Sequence, residues 1–352
     1  MFLSQVTFFL LSQARSCSVG LGRHGMNAQE LGNRFRRTAA KAAPVKITMG
    51  WIVPVNDMIS IFSQAGVAKQ DGKSYVLEPV HFQGSTQMIT ALASGDLDIA
   101  SLGFSSFPFA VENAGLHDAR IIADQIQDGV PGYFTSQFRV LKDGPIKSVK
   151  DLRGKTVATN ALGSGVDIAM RAMLAKNGLN PQKDVTIIEA PFPDLKAVLL
   201  EKKAALIPSV LPFAEDPQLK AGSTVLFTQR DALGTTELSF SVAREGFIKK
   251  HRAALVDFLE DYLRVTRFYT DPRNHAKAVQ IAAQFSKIPA KVFEGWLYSK
   301  KDFYRGPDAL PNLAALQSNI DLEQRIGFIK TSFDVKKYAD LSLVREAAAR
   351  LK

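Results

Sequence analysis

The chain has 352 residues, of which 46% are hydrophobic and 22% charged, with a mean hydropathy of −0.01. These values are typical of a globular protein with two domains and exclude a disordered chain. Half of the +10 net charge lies in residues 1–44, and no basic run with interleaved aromatics follows, so the charge does not indicate nucleic-acid binding. The only cysteine is Cys17, which excludes a disulfide framework and a thiolate metal cluster.

Residues 1–44 are predicted to be a leader or a disordered segment outside the fold. The stretch "MFLSQVTFFLLSQA" has a short apolar run, but it lacks the basic start and small-residue cleavage site of a secretory signal. The stretch "RFRRTAAKAA" has an arginine pair without the apolar core that a twin-arginine signal requires. A weak signal or a mis-assigned start would each give this pattern, and we expect folded structure to begin at Val45.

From Val45 onwards, strand patterns alternate with helical patterns that end at glycines. The first series predicts strands in "VKITMG", "SYVLEPVHF", "LDIASLG" and "ARIIAD", and helices in "PVNDMISIFSQAGV", "GSTQMITALASG" and "SSFPFAVENAG". A second series from Lys142 predicts strands in "GKTVAT", "DVTIIEA", "AALIPS" and "STVLFTQ", and helices in "GSGVDIAMRAMLAKNGL" and "FPDLKAVLLEKK". This alternation indicates βαβ units and mostly parallel sheets.

The end of the chain predicts how the two series combine. After the second series comes a strand in "TELSFSVARE", and from Phe247 to the end the pattern is almost wholly helical. This order predicts two lobes, the second inserted into the first: residues 45–139 with 239–352 form lobe 1, and residues 140–238 form lobe 2. We expect the chain to cross between them near Phe138–Leu141 and Glu237–Ser241.

The sequence offers little catalytic chemistry. Its five histidines are scattered without metal-ligand spacing, and neither a GxSxG nucleophile elbow nor a GxxxxGK[ST] phosphate loop occurs. We therefore predict no catalytic residue, no metal and no cofactor.

A different pattern does recur, in which glycine and hydroxyl residues come between a strand and a helix. The three turns are Gly84-Ser85-Thr86, Gly103-Phe104-Ser105-Ser106 and Gly163-Ser164-Gly165, and Trp51 follows the first strand in a similar place. In a parallel sheet these turns lie at the carboxyl ends of the strands, where such sheets bind ligands. Free N–H groups at helix starts and hydroxyl donors would together hold an anion. Each turn alone is also an ordinary helix cap, so the prediction depends on their facing one crevice.

Three longer stretches resemble the substrate-binding proteins of nitrate/sulfonate/taurine-type ABC importers. They are "GSTQMITALASGDLDIASLGFSSF", "GPIKSVKDLRGKTVATNALGSG" and "LSFSVAREGFIKKHRAALVDFLEDYL". The resemblance runs from about Val45 to the mid-200s. It implies an α/β, two-lobed type II periplasmic-binding-protein fold, each lobe a mostly parallel sheet flanked by helices, that closes around a small ligand.

By position, the resemblance implies a set of ligand-binding residues at the strand ends. Where the family repeats a Gly-x-x-Asp-Ala pattern before its Pro-Phe segment, "EKKAALIPSVLPF" lacks the aspartate. Aromatic residues near the turns favour an organic anion, a sulfonate or carboxylate with its tail against Trp51 and Phe104. The implied residues are Trp51, Ser85, Thr86, Phe104, Ser105, Gly163, Ser164 and Phe213.

The resemblance implies a periplasmic, monomeric binding protein that delivers its ligand to an ABC permease with its ATPase. Two other functions stay open on the same scaffold. One is an enzyme acting on a small organic acid or a thiamine-precursor-like compound. The other is a ligand-sensing regulator, for which residues 1–44 offer only the helix-like "QELGNRFRRTAAKAA".

Overall fold

The computed structural model describes residues 43–352, which fold into alternating strands and helices. None of the helices in this range is both long and apolar enough to cross a bilayer. The strands are β1 (Val45–Trp51), β2 (Tyr75–His81), β3 (Ile99–Leu102), β4 (Ala119–Asp128), β5 (Gln137–Leu141), β6 (Lys155–Thr159), β7 (Val185–Glu189), β8 (Ile207–Ser209), β9 (Ser223–Thr228) and β10 (Thr236–Arg244). The α-helices are α1 (Ser85–Ser94), α2 (Phe107–Glu112), α3 (Gly165–Lys176), α4 (Phe192–Leu200), α5 (Pro217–Gly222), α6 (Gln229–Leu233), α7 (Glu245–Thr270), α8 (His275–Ser286), α9 (Leu313–Arg325) and α10 (Ser342–Ala349).

The first sheet has five strands in the order β2-β1-β3-β10-β4. β10 is antiparallel to both of its neighbours, and the other four strands run in one direction. β2 lies at the edge of the sheet and pairs only with β1. Pro79, which lacks an N–H group, is tolerated there because no second strand has to pair with β2. The carboxyl ends of β1, β2 and β3 therefore meet at one edge of this sheet.

The remaining strands form a second group with a similar plan. β5 lies between β8 and β9 and is antiparallel to both, while β6 and β7 pair in parallel. Two backbone hydrogen bonds of 2.8 Å, from Ala158 N–H to the Leu206 oxygen and from Ala205 N–H to the Thr156 oxygen, connect β6 to the start of β8. Each group thus contains one reversed strand among strands that otherwise run parallel.

Helices cover both faces of the first sheet because successive residues of its strands point to opposite sides. Ile99 and Ile122 pack in a core that includes α7, whereas Ala100 and Ile121 pack in another that includes α1 and α9. The second of these cores also contains Ile168 of α3. The helix α9 therefore packs against the first sheet, in a core to which α3 also contributes.

The stretch after β1 differs from the predicted helix. "PVNDMISIFSQAGV" forms two short 3-10 turns, Met58–Ile61 and Ser63–Ala65. The buried Asp57 carboxylate accepts hydrogen bonds from the N–H groups of Ile52 (2.7 Å) and Val53 (2.8 Å), which holds the chain in a loop. Val55 inside this loop has a φ of +71°, which no α-helix allows.

The chain passes between the two groups of strands twice, through residues 129–136 and 229–235. Arg230 joins the two passages: its Nε donates to the Gly129 oxygen (2.7 Å) and its Nη2 to the Val130 oxygen (2.6 Å). Both passages lie a few residues before the predicted crossings, which fall inside β5 and β10. Residues 43–352 hold together as one compact unit, so the division into two lobes stays a prediction.

The close approach of the two passages predicts an unusual sensitivity at Gly129. Its φ is +78°, and a Cβ atom there would lie 2.5 Å from the Gly234 oxygen. Gly178 has a φ of +76° with open space around it and is the matched control. We expect Gly178→Ala to cost about 1 to 2 kcal/mol for backbone strain. Gly129→Ala should cost at least about 1 kcal/mol more, because the backbone must move to relieve the clash.

Urea denaturation of the two variants measures this difference directly. Equal losses in the free energy of unfolding would contradict the tight contact between the passages.

Candidate functional site

A cleft of about 570 Å³ lies at the carboxyl ends of four strands, the parallel β1, β2 and β3 of the first sheet and β6 of the second group. This is the edge at which open α/β sheets bind ligands. The residues that line it are Ile52, Gln83, Gly84, Ser85, Thr86, Ile89, Ser105, Ser106, Phe109, Asn160, Ala161, Leu162, Gly163, Ser164 and Phe328.

Five of the eight predicted binding residues line this cleft: Ser85, Thr86, Ser105, Gly163 and Ser164. They come from all three glycine-hydroxyl turns, which the structure brings to one crevice. Whether they bind a ligand stays a prediction.

The three predicted aromatic residues lie elsewhere. The Trp51 ring packs against His81, with ring centroids 4.4 Å apart, and against Phe285. Phe104 is only 1% exposed and belongs to the core beside α1. Phe213 stacks on Phe192 in the second group of strands, with centroids 6.0 Å apart. The structure therefore does not bring these rings to the cleft wall.

The start of α1 presents free hydrogen-bond donors to the cleft. Gly84 precedes the helix in an extended conformation, and no side chain caps the first turn. Among residues 43–352, the N–H groups and hydroxyls of Ser85 and Thr86 have no protein partner. A ten-residue helix also places a partial positive charge at this end. This turn can therefore hold an anion without a charged side chain.

The turn before α3 is already satisfied by its own side chains. The Gly163 N–H donates to the Asp167 carboxylate (2.9 Å), which also accepts from Nε of Arg171 (2.8 Å). The Ser164 hydroxyl donates to Oδ1 of Asn160 (2.7 Å) and accepts from the Asp167 N–H (3.3 Å). On this side of the cleft the Gly163 N–H and the Ser164 hydroxyl are therefore engaged within the protein, and the Asn160 amide NH2 has no partner among the described residues.

The turn between β3 and α2 has some of its hydrogen-bond donors free and some engaged within the protein. The Gly103 N–H donates to the Ser106 hydroxyl (3.0 Å), so this pair closes the turn. The neighbouring Ser105 hydroxyl has no partner among the described residues and lines the cleft. Ser105 therefore supplies a third free hydroxyl in the cleft, after those of Ser85 and Thr86.

The electrostatics of the cleft are neutral. No lysine, arginine, histidine, aspartate or glutamate is among the residues that line it. Behind the lining, the buried Asp167 carboxylate is paired with Arg171, which balances its charge. An anion bound here would be held by N–H and hydroxyl dipoles, and a neutral ligand would meet no charged group.

Three apolar side chains form a rim that the sequence did not predict: Phe109, Leu162 and Phe328. Phe109 and Leu162 are 40% and 57% exposed, unusual for large apolar residues. Phe328 follows α9, more than 160 residues from the second wall, and no local pattern in the sequence marks it. Clustered exposed apolar groups beside polar ones are typical of a ligand-binding groove.

The helix that leads to Phe328 contains a buried acid. Glu323 of α9 is fully buried, and its carboxylate oxygens have no partner among residues 43–352. Burial raises the pKa of this carboxyl from 4.5 to about 9, so it is protonated at neutral pH. Its backbone oxygen accepts the Phe328 N–H (2.8 Å), which ties the apolar rim to the end of α9.

We predict that Glu323→Gln is more stable than the wild type, and that this gain in stability grows as the pH rises. The folded protein keeps this proton up to a pH of about 9, whereas the unfolded chain loses it near 4.5. The wild type therefore loses stability across that range, and the near-isosteric glutamine does not. Thermal unfolding at about pH 5 and about pH 8.5 should show a gain in Tm that is small at the lower pH and larger at the higher one.

The control is Gln324→Glu, which adds a carboxylate on the exposed neighbouring position. It should leave the pH dependence of Tm unchanged. A Glu323→Gln variant that gains the same at both pH values would contradict the buried neutral acid.

The fold and its cleft define an α/β protein with the architecture of a type II periplasmic-binding protein. The NMT1-like family model matches residues 40–283, and the chain belongs to this family. No curated protein matches the chain in sequence.

Solved structures share this fold over most of the chain. The periplasmic aliphatic sulphonate-binding protein SsuA from Escherichia coli is 20% identical, with a TM-score of 0.68, and the match covers 85% of this chain and 92% of that one. The periplasmic nitrate-binding protein NrtA from Synechocystis PCC 6803 is 15% identical, with a TM-score of 0.68 and coverages of 88% and 89%. The desulfurization enzyme DSZB is 14% identical, with a TM-score of 0.64 and coverages of 88% and 100%. The predicted fold class and family resemblance are thereby confirmed.

Proposed function

We propose that this protein is a solute-binding protein that captures a small organic anion in the cleft and delivers it to an ABC permease with its ATPase. The observation that carries the proposal is the set of free donors at the start of α1, with the Ser105 hydroxyl beside them. The likeness to sulphonate-binding and nitrate-binding proteins supports it. The same likeness supports a periplasmic location and a small-molecule ligand.

The geometry suggests how binding proceeds. The anionic head, a sulfonate or carboxylate, accepts hydrogen bonds from the N–H groups and hydroxyls of Ser85 and Thr86 and from Ser105. The wall formed by Gly163 and Ser164 then meets the ligand from the other side. Movement of residues 140–238 against the rest of the fold, about the two passages, would close the cleft.

An enzyme on the same scaffold is the second candidate, and the likeness to a desulfurization enzyme favours it. Covalent or acid–base chemistry needs a nucleophile and a base within reach of the substrate. The described lining offers hydroxyls and amides but no cysteine, histidine or carboxylate. We therefore favour binding without turnover. The ligand-sensing regulator needs a DNA-binding module, and its one candidate segment falls outside the described residues.

We predict that removing the free hydroxyls weakens anion binding. Each lost hydrogen bond to a charged group is worth about 1.5 to 3 kcal/mol, so Ser85→Ala and Ser105→Ala should each raise Kd by about tenfold or more. Isothermal titration calorimetry with a panel of sulfonates and carboxylates measures this. The matched control is Ser94→Ala at the other end of α1, whose hydroxyl bonds to Ala91 and Asp96 away from the cleft.

Two results would contradict the proposal. The first is a wild-type protein that gives no heat of binding with any sulfonate or carboxylate but binds a neutral pyrimidine. The second is an equal loss of affinity in the Ser94→Ala control.

A further inference from the structure

We propose that Phe328 sets the ligand specificity of the cleft, so that anions with a flat aromatic body bind more tightly than small anions. The inference rests on the proposed binding function and names the class of ligand that the same cleft takes.

The position of Phe328 carries the inference. Its ring meets Phe109 edge to face, with centroids 5.9 Å apart and planes at 77°. On the other side of the ring, a Cβ atom placed on Gly163 would lie only 2.9 Å from the Cζ of Phe328. Phe109 belongs to the first sheet's side of the cleft and Gly163 to the second group of strands. Phe328 therefore contacts both walls of the cleft and lines it as well.

The glycine on the second wall makes this contact possible. Gly163 has a φ of +79°, a conformation that favours glycine, and any side chain there would collide with the ring. The ring is thus packed directly on the backbone of the turn that ends in Ser164. A ligand whose head reaches the start of α1 leaves its body within the space bounded by this ring.

The composition of the cleft decides which body fits. The hydroxyl and N–H donors are on Ser85, Thr86 and Ser105, while the apolar rim is Phe109, Leu162 and Phe328. A small anion satisfies the donors but leaves the rim in water. An aryl anion satisfies the donors and also removes apolar surface of the rim from water, a gain that grows with the area buried. The Phe109 and Phe328 rings, with planes at 77°, give the rim an aromatic surface, on which an aryl body can make the offset-stacked or edge-to-face contacts that aromatic groups prefer.

The test compares three anions by calorimetry on the full chain: benzenesulfonate, methanesulfonate and nitrate. The wild type should bind benzenesulfonate at least about tenfold more tightly than methanesulfonate. Phe328→Ala should lose most of that ratio while its affinity for methanesulfonate stays within about twofold. Phe328→Leu keeps apolar area without the ring, so its affinity ratio should lie between those of the wild type and Phe328→Ala. It also keeps the test valid should the alanine variant fold poorly.

The matched control is Phe268→Ala, which removes a half-buried phenylalanine of α7 that lies outside the cleft. It should leave the benzenesulfonate-to-methanesulfonate ratio unchanged. A Phe328→Leu variant that keeps the full wild-type ratio, or Phe328 variants that weaken both sulfonates equally, would overturn the role of Phe328. A wild type that binds all three anions equally would overturn the inference and leave anion binding intact. A wild type that binds none of them would overturn both.

Discussion

The guanidinium of Arg230 holds together the two passages by which the chain connects its two groups of strands. It donates to the carbonyl oxygens of Gly129 (2.7 Å) and Val130 (2.6 Å), charge-assisted bonds that are stronger than ordinary ones. At the start of the first passage, the buried Asp128 carboxylate accepts from both the N–H (3.0 Å) and the hydroxyl (2.6 Å) of Ser136. These bonds fix where the second group of strands begins relative to the first, and the cleft depends on that placement.

The two walls of the cleft have different chemistry as a consequence of local sequence. The first wall ends at a helix without a side-chain cap, so its donors stay free for a ligand. The second wall has Asp167 and Asn160, which bond to Gly163 and Ser164 and satisfy them internally. A ligand would therefore find most of its free N–H and hydroxyl donors on the first wall, with the Asn160 amide as a further donor on the second. Fewer unpaired polar groups then have to lose their bound water when a ligand binds, because those of the second wall that bond within the protein are already satisfied.

Much of this structure could be predicted from the sequence, because strand and helix periodicities are local. The alternation from Val45 onwards, the glycines that end helices and the hydroxyl turns all follow from patterns a few residues long. Asp98 is one example of a role that a local pattern predicts. It alternates with buried residues, which indicates a structural role, and its carboxylate accepts hydrogen bonds from the N–H and the hydroxyl of Thr48 (2.8 Å each).

The features that sequence reasoning missed depend on contacts between distant residues. Phe104 and Phe109 are five positions apart in similar surroundings, yet one is in the core and the other at the rim. Which of them reaches the cleft is decided by the packing of α2. Phe328 reaches the cleft only because α9 packs on the first sheet, in a core to which α3 also contributes, and no periodicity encodes that. Likewise, Asp57 prevents the predicted helix after β1 through bonds to residues on the other side of Pro54.

A crystal structure of the protein with a bound aryl sulfonate is the most direct test of ligand binding in this cleft. We expect density in the cleft, with the sulfonate oxygens within hydrogen-bond distance of the Ser85 and Thr86 N–H groups and the aryl body against Phe328. A ligand bound instead in the separate cavity of about 450 Å³ beside Tyr269 and Arg305, with the cleft unoccupied, would contradict it.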